Sequence, residues 1–282
     1  MLGTRLTKQS FPRQATEHYT SNGIYYRIND FSNRKQTLVF VHGLSGSSSA
    51  WLEYEKKFTA DYNLVASDLR GHGKSKKFKN YGDYEIGNFV DDIEKILQEL
   101  GIKKFILVSH SFGAIIALAL IKRRREDITK AIFLAPVFSA GKIKWVWATR
   151  LLIGWSIPII ELFRFQPFPG KHIDYPKHIP ARDWDLRRII TDIANTTLRA
   201  YLYSSRQTYE FDGEKYLKEI SMPTLIIHGK EDTIVPMEKS IKASQQIKNC
   251  KIILLEKANH ILILNNQAEV TRIIKKFLKK RQ

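Results

Sequence analysis

The stretch F-I-L-V-S-H-S-F-G-A, Phe105 to Ala114, decides how the chain reads. Its first five residues form a continuous apolar run of the kind that is buried on both faces in a parallel sheet. From Phe112 the spacing turns helical, so a strand passes directly into a helix across Ser109, His110 and Ser111. The pattern is G-x-S-x-G with Ser109 in place of the first glycine, and it sets a serine at the apex of a sharp turn. So tight a turn needs small residues two positions before and two after that serine, because neighbouring backbone crowds both. Gly113 meets the need, and Ser109 adds only a hydroxymethyl. Alone, Ser111 reads equally well as a helix N-cap.

Working outward, apolar runs at 37–41, 63–67 and 131–135 read as further buried strands, and 51–58, 85–100 and 112–123 as helices. In the second helix Phe89, Ile93, Ile96, Leu97 and Leu100 recur at helical spacing, and Gly101 supplies a stop. The alternation breaks over 136–216, which is rich in Trp, Arg, Phe and Pro and offers no convincing strand. It resumes after Pro223 with strands at 224–228 and 251–255 and helices at 238–247 and 267–278. Strand-helix alternation predicts an α/β fold, a mostly parallel twisted sheet with helices on both faces. The core is expected at 1–135 and 217–282, interrupted by a helical cap at 136–216. Ahead of the first buried strand, H-Y-T-S-N-G-I-Y-Y predicts an antiparallel hairpin turning at Asn22-Gly23.

A chain of 282 residues can bury a sizeable core, and 43% hydrophobic residues argue against disorder. The single cysteine, Cys250, excludes an intrachain disulfide and reads as buried filler. The first residues lack the apolar centre of a signal peptide, and the best apolar run, 151–160, is too short for a bilayer and contains Gly154 and Pro158. A cytoplasmic protein is the expectation. The formal charge of +18 favours anionic surfaces, with basic runs at 122–125 and 275–281. Solvated helix ends explain these runs most simply. Peripheral contact with an anionic membrane is their other use, and nucleic acid is disfavoured because no recognition motif accompanies the charge.

A serine hydroxyl needs a base, and where a serine sits on such a turn the acid and base follow it in the order Asp, His. The strand at 224–228 runs into G-K-E-D-T-I-V-P, which places Asp232 at the strand's C-terminal end. The strand at 251–255 runs into E-K-A-N-H-I-L, which places His260 likewise. Both loops open on the edge where parallel sheets build their sites. Taken singly, Asp232 is a turn residue and His260 a surface histidine. The loop F-V-H-G-L-S-G-S follows the strand at 37–41, so the Leu44 amide can join the Phe112 amide in holding an oxyanion. His42 is expected to buttress that loop.

With H-G-L-S-G-S, S-D-L-R-G-H-G-K-S, S-H-S-F-G, H-G-K-E-D-T-I-V-P and N-H-I-L in place, the chain resembles the α/β-hydrolase superfamily over about 25–277, all but the insertion. The resemblance is to serine esterases and lipases with a helical cap, of the monoacylglycerol-lipase or carboxylesterase kind. It implies Ser111 as nucleophile, His260 as base, Asp232 as orienting acid, and Leu44 and Phe112 as oxyanion donors. It gives Asp68, Arg70 and His72 a structural loop and implies no metal or other cofactor. Ser109 and Asn259 stand where relatives commonly carry glycine. Epoxide hydrolase and haloalkane dehalogenase relatives carry an aspartate at the nucleophile position, so Ser111 points to acyl chemistry on a small-molecule or lipid ester. C–C bond hydrolases, lactonases and perhydrolases share the triad, and a catalytically idle lipid- or partner-binding protein is the reading from another class. Cap aromatics, Trp145, Trp147 and Trp155, are expected to line an acyl pocket.

Overall fold

The computed structural model describes residues 15–32, 35–140 and 146–279. Eight strands form one sheet in the order β1-β2-β4-β3-β5-β6-β7-β8. They are β1 (Thr16–Tyr19), β2 (Tyr25–Ile28), β3 (Thr37–Val41), β4 (Asn63–Ser67), β5 (Phe105–His110), β6 (Ile128–Leu134), β7 (Thr224–Gly229) and β8 (Cys250–Leu255). The expected hairpin is β1 and β2, with Gly23 at φ 86° in the turn; β2 then pairs antiparallel to β4. From β4 to β8 all pairings are parallel.

The helices are α1 (Leu52–Phe58), α2 (Ile86–Glu99), α3 (Gly113–Arg124), α4 (Val146–Leu162), α5 (Leu186–Thr196), α6 (Leu198–Glu210), α7 (Met237–Gln246), the single turn α8 (Leu262–Asn265) and α9 (Gln267–Lys279). Successive side chains of a strand point to opposite faces. On one face Val39, Leu107, Phe133 and Ile226 join α2 and α3 in one apolar cluster. On the other Leu38, Ile106, Ile132 and Leu225 join α1 and α9 in a second. Coverage of both faces is why the strands read as unbroken apolar runs.

The chain leaves β3 to one side to make β4, then returns to the other side of β3 to make β5. The order reverses there, and the loops after β3 and β5 diverge to leave a crevice at the strands' C-terminal ends. Register aligns those ends: Val41 pairs with Ser109, His110 with Leu134, Leu134 with Ile227, and Gly229 with Leu255. Between β6 and β7 the described residues hold α4, α5, α6 and short 3₁₀ turns, with no strand.

Candidate active site

Ser111 stands between β5 and α3 with φ 53°, in the left-handed region that non-glycine residues rarely adopt. Three backbone hydrogen bonds hold it there. Its N–H donates to Leu134 O at 3.1 Å, and its carbonyl accepts from Ala114 N at 2.9 Å and Val137 N at 3.2 Å. A Cβ on Gly113 would stand 2.6 Å from Val41 O and 2.7 Å from His42 O, so only glycine lets α3 start against the end of β3. Ser109 is completely buried, and its hydroxyl has no hydrogen-bond partner among the described residues.

The acid and base loops are pressed together by Gly229, where a Cβ would lie 2.1 Å from Ala258 O. Beyond that contact Asp232 accepts the Ile234 and Val235 N–H groups on Oδ1, at 2.9 and 2.7 Å. Its Oδ2 accepts His260 Nδ1–H at 2.8 Å and lies 3.0 Å from Nε2 of the fully buried His228. Burial opposes ionisation of Asp232, but the charge of His260 and the His228 hydrogen bond outweigh it, and the carboxyl is held well below the usual carboxylate range. An ionised Asp232 fixes the proton on Nδ1 and leaves His260 Nε2 to accept from the Ser111 hydroxyl at 2.8 Å. The neighbouring His110 donates from Nε2 to His260 O at 3.0 Å, and burial pushes its pKa down to about 3, so it stays neutral.

Leu44 and Phe112 border the same cavity as Ser111. The Leu44 loop lies hard against the serine turn: a Cβ on Gly43 would stand 2.9 Å from His110 Nδ1 and 3.1 Å from Ser111 Cβ. His42 supports that loop from behind, donating from Nδ1 to Gly43 O at 2.7 Å and accepting Leu69 N–H on Nε2 at 2.9 Å. Burial lowers its pKa to about 4 and keeps the ring neutral. Asp68 and Arg70 are bound up in the loop below. Asp68 accepts from Ser48 N, Lys74 N and His172 Nε2, and Arg70 clasps Asp92 through two 2.8 Å hydrogen bonds.

The cavity above Ser111 has a volume of about 310 Å³. Val137, Ile189, Ile234 and Leu264 make its apolar walls, and Tyr175, Tyr201, Tyr209 and Trp184 its aromatic ones. Trp155 is not among them. It is 78% exposed, because α4 packs inward through Ile153 and Ile157, and a residue midway between those two points off the opposite side. Trp145 lies outside the described residues, as does the side chain of Trp147. Among the described residues the wall also holds the ion pair of Arg188 with Asp192, bonded at 2.7 Å, and burial pushes Asp192 up to about 7 in spite of Arg188.

Two further residues bear on the site: Asp183, which the sequence did not mark, and Asn259, which it marked only as a departure from glycine. Asp183, buried just ahead of α5, accepts His260 N–H on Oδ1 at 2.9 Å and the Thr233 N–H and hydroxyl on Oδ2, both at 2.8 Å. A single carboxylate thus ties the base loop to the acid loop. Asn259, where relatives commonly carry glycine, donates to Ala181 O at 2.8 Å and accepts Ile261 N–H. Nothing in A-R-D-W-D marks Asp183, since its partners lie about 50 and 77 positions downstream.

A family model described as the alpha/beta hydrolase fold matches residues 36–267. Among curated proteins, epoxide hydrolase 1 of Caenorhabditis elegans is 24% identical over 94% of this chain and 68% of its own length. Among solved structures, the enol-lactonase from Burkholderia xenovorans LB400 aligns with a TM-score of 0.73 at 19% identity, over 94% of this chain and 100% of that one. A thermophilic esterase from Thermogutta terrifontis aligns with a TM-score of 0.70 at 18% identity, over 94% and 98%. At these identities the structural likenesses speak for the fold.

Proposed function

The chain belongs to the α/β-hydrolase fold family, and from that premise we propose that it is a serine hydrolase cleaving a carboxylic ester through an acyl-enzyme on Ser111. The observation that carries this reading is the unbroken relay from Asp232 Oδ2 to His260 Nδ1 and from His260 Nε2 to Ser111 Oγ, 2.8 Å at each step. Ser111 Oγ attacks the ester carbonyl while its proton passes to His260 Nε2, and Asp232 stabilises the imidazolium. The carbonyl π electrons move onto oxygen, and the Leu44 and Phe112 N–H groups donate hydrogen bonds to the oxyanion so formed. Collapse of this intermediate expels the alcohol, which leaves with the proton from His260. Water then repeats the sequence on the acyl-enzyme, with His260 as base, and releases the acid.

Residues 136–216 act as the cap over this cavity and set the substrate. The mainly apolar and aromatic wall suits an apolar acyl chain, as in a carboxylesterase or monoacylglycerol-lipase-like enzyme. Arg188 is the one permanently cationic side chain among the described lining residues, and Asp192 and the Asp183 carbonyl already engage it. With two of its nitrogens so engaged, Arg188 keeps only a buried Nε without a partner among the described residues, and the mainly apolar wall favours an ester over the acidic substrates of a C–C bond hydrolase. Epoxide opening is disfavoured because position 111 is serine, where the resemblance to epoxide hydrolases calls for aspartate.

The test is turnover of a panel of p-nitrophenyl esters, monoacylglycerols and lactones, with fluorophosphonate labelling alongside. Ester turnover and labelling at Ser111 are expected, and Ser111→Ala should lose activity by a factor on the order of 10⁴ or more. Equal turnover by Ser111→Ala, or an unlabelled wild type without activity on the panel, overturns the reading.

A further inference from the structure

Helix α5 buries a polar stripe and exposes part of its apolar one. Its buried residues are Arg188, Asp192 and Thr196, a polar stripe at four-residue spacing, while Leu186 and Ile190 on the outward side are 72% and 66% exposed. A helix packed on a water-soluble core normally shows the reverse. Helix α4 departs from the norm in a second way. It is apolar around most of its circumference, with Arg150 and Glu161 as its only charged residues. Yet it buries Ile153 and Ile157 and leaves Leu152, Trp155, Ile159 and Leu162 between 58% and 86% exposed. Phe163 and Phe168, just beyond it, are also exposed. Both helices pack on α6, and Thr149 of α4, Trp184 ahead of α5 and Ile189 of α5 border the cavity above Ser111. Exposed apolar surface on this scale marks an interaction site.

Charge identifies the occupant. The same stretch exposes Arg150, Arg164, Lys171, Arg182 and Arg187, against exposed Glu161 and Asp174. Glu161 accepts from Tyr203, and Asp174 pairs with Lys177. Arg187 stands between Leu186 and Ile190 in the chain, and Arg164 follows Phe163. Cations set beside exposed apolar residues suit the boundary between acyl chains and anionic headgroups. A second copy of a chain of formal charge +18 is repelled by that same charge. The basic run at 122–125 does not compete for this role. Arg123 pairs with Asp91 and Glu94, Arg124 with Asp127, and Arg125 with Glu126.

We propose that the outward faces of α4 and α5 form a docking surface for an anionic lipid bilayer, which brings the cavity over Ser111 to the membrane boundary. No helix among the described residues is long and apolar enough to cross a membrane, and the proposal is of contact with the bilayer surface. Docking does not depend on hydrolysis, and the Ser111→Ala protein reads it separately from the proposed function. That protein is floated with vesicles of phosphatidylcholine alone and with added phosphatidylglycerol, at low and high salt. Binding to the phosphatidylglycerol vesicles, weakened by salt, is expected. Leu152→Ser, Ile159→Ser, Leu186→Ser and Ile190→Ser combined should lower it about tenfold or more. In the otherwise wild-type chain the same four changes should leave hydrolysis of a water-soluble ester unaltered, which shows the fold intact. Indifference of wild-type and Ser111→Ala protein to both kinds of vesicle overturns the proposal. So does full-strength binding by the fourfold variant. A wild-type dimer that these substitutions dissociate assigns the surface to a second copy and overturns it as well.

Discussion

Two buried aspartates each hold a histidine at 2.8 Å, yet they belong to different kinds of site. Asp232 and Asp68 are both fully buried at the side chain, and both carboxyls are held well below the usual range. Each also accepts two backbone N–H groups. The difference is what lies beyond the ring. His260 turns its second nitrogen to a serine hydroxyl held at the apex of a strained turn and bordering a cavity. His172 packs edge-on against the Tyr25 ring at 4.9 Å, and Asp68 braces the loops at Ser48 and Lys74. A low-lying carboxylate with a histidine partner is therefore a structural device that both regions use. The third group decides whether it can move a proton.

The comparison breaks most readily at Asp232. Asp232→Asn should lower kcat by a factor of roughly 10⁴, because the amide no longer holds the Nδ1–H tautomer, while melting changes little. Unchanged turnover would make the two aspartates alike. Asp68→Ala should do the converse, lowering stability by about 3 kcal/mol through the orphaned Ser48 and Lys74 N–H groups while kcat at permissive temperature is kept. The sign of its pH dependence is set by the lowered carboxyl. Its stabilisation is full above the unfolded value of about 4 and is lost as pH falls below it. Thermal melting should accordingly show the gap between Asp68→Ala and wild type narrowing in acid; a gap that widens contradicts the assignment.

Asp183 lies between the two cases, since it borders the cavity and holds the histidine through its backbone N–H. Asp183→Ala should cut kcat about tenfold with a smaller change in KM. If KM rises and kcat holds, its role belongs to the pocket wall instead. The smallest effect is expected at Ser109. Ser109→Ala removes a buried hydroxyl with no partner among the described residues and should leave turnover intact while raising stability by about 1 kcal/mol in thermal melts. A loss of activity there would give the hydroxyl a part in the turn.

Much of this was legible in the residues. The strands at 37–41 and 63–67 lie at their expected bounds, and β6 begins three residues earlier than its apolar run suggests. Ser111, Asp232 and His260 could be picked out because each follows an apolar strand by a few residues, and parallel strands carry such residues to one edge. Gly113 announced the tight turn through its lack of a side chain. The insertion was far less legible. Its aromatics suggested a pocket wall, but Trp155 faces outward, while the tyrosines at 175, 201 and 209 and Trp184 line the cavity.

The sequence by itself determined the sheet, the strand-to-helix turn and the three side chains that meet beside it. Those follow from short-range periodicity and from chemistry placed within a few residues of a strand end. Only the tertiary structure decided that Asp183 joins the base loop to the acid loop and that α5 buries its polar stripe. Helical spacing states which residues share a face, and it is silent on what that face meets. For α5 the answer depends on neighbours distant in the chain and, on the reading proposed for its outward side, on a surface outside the protein.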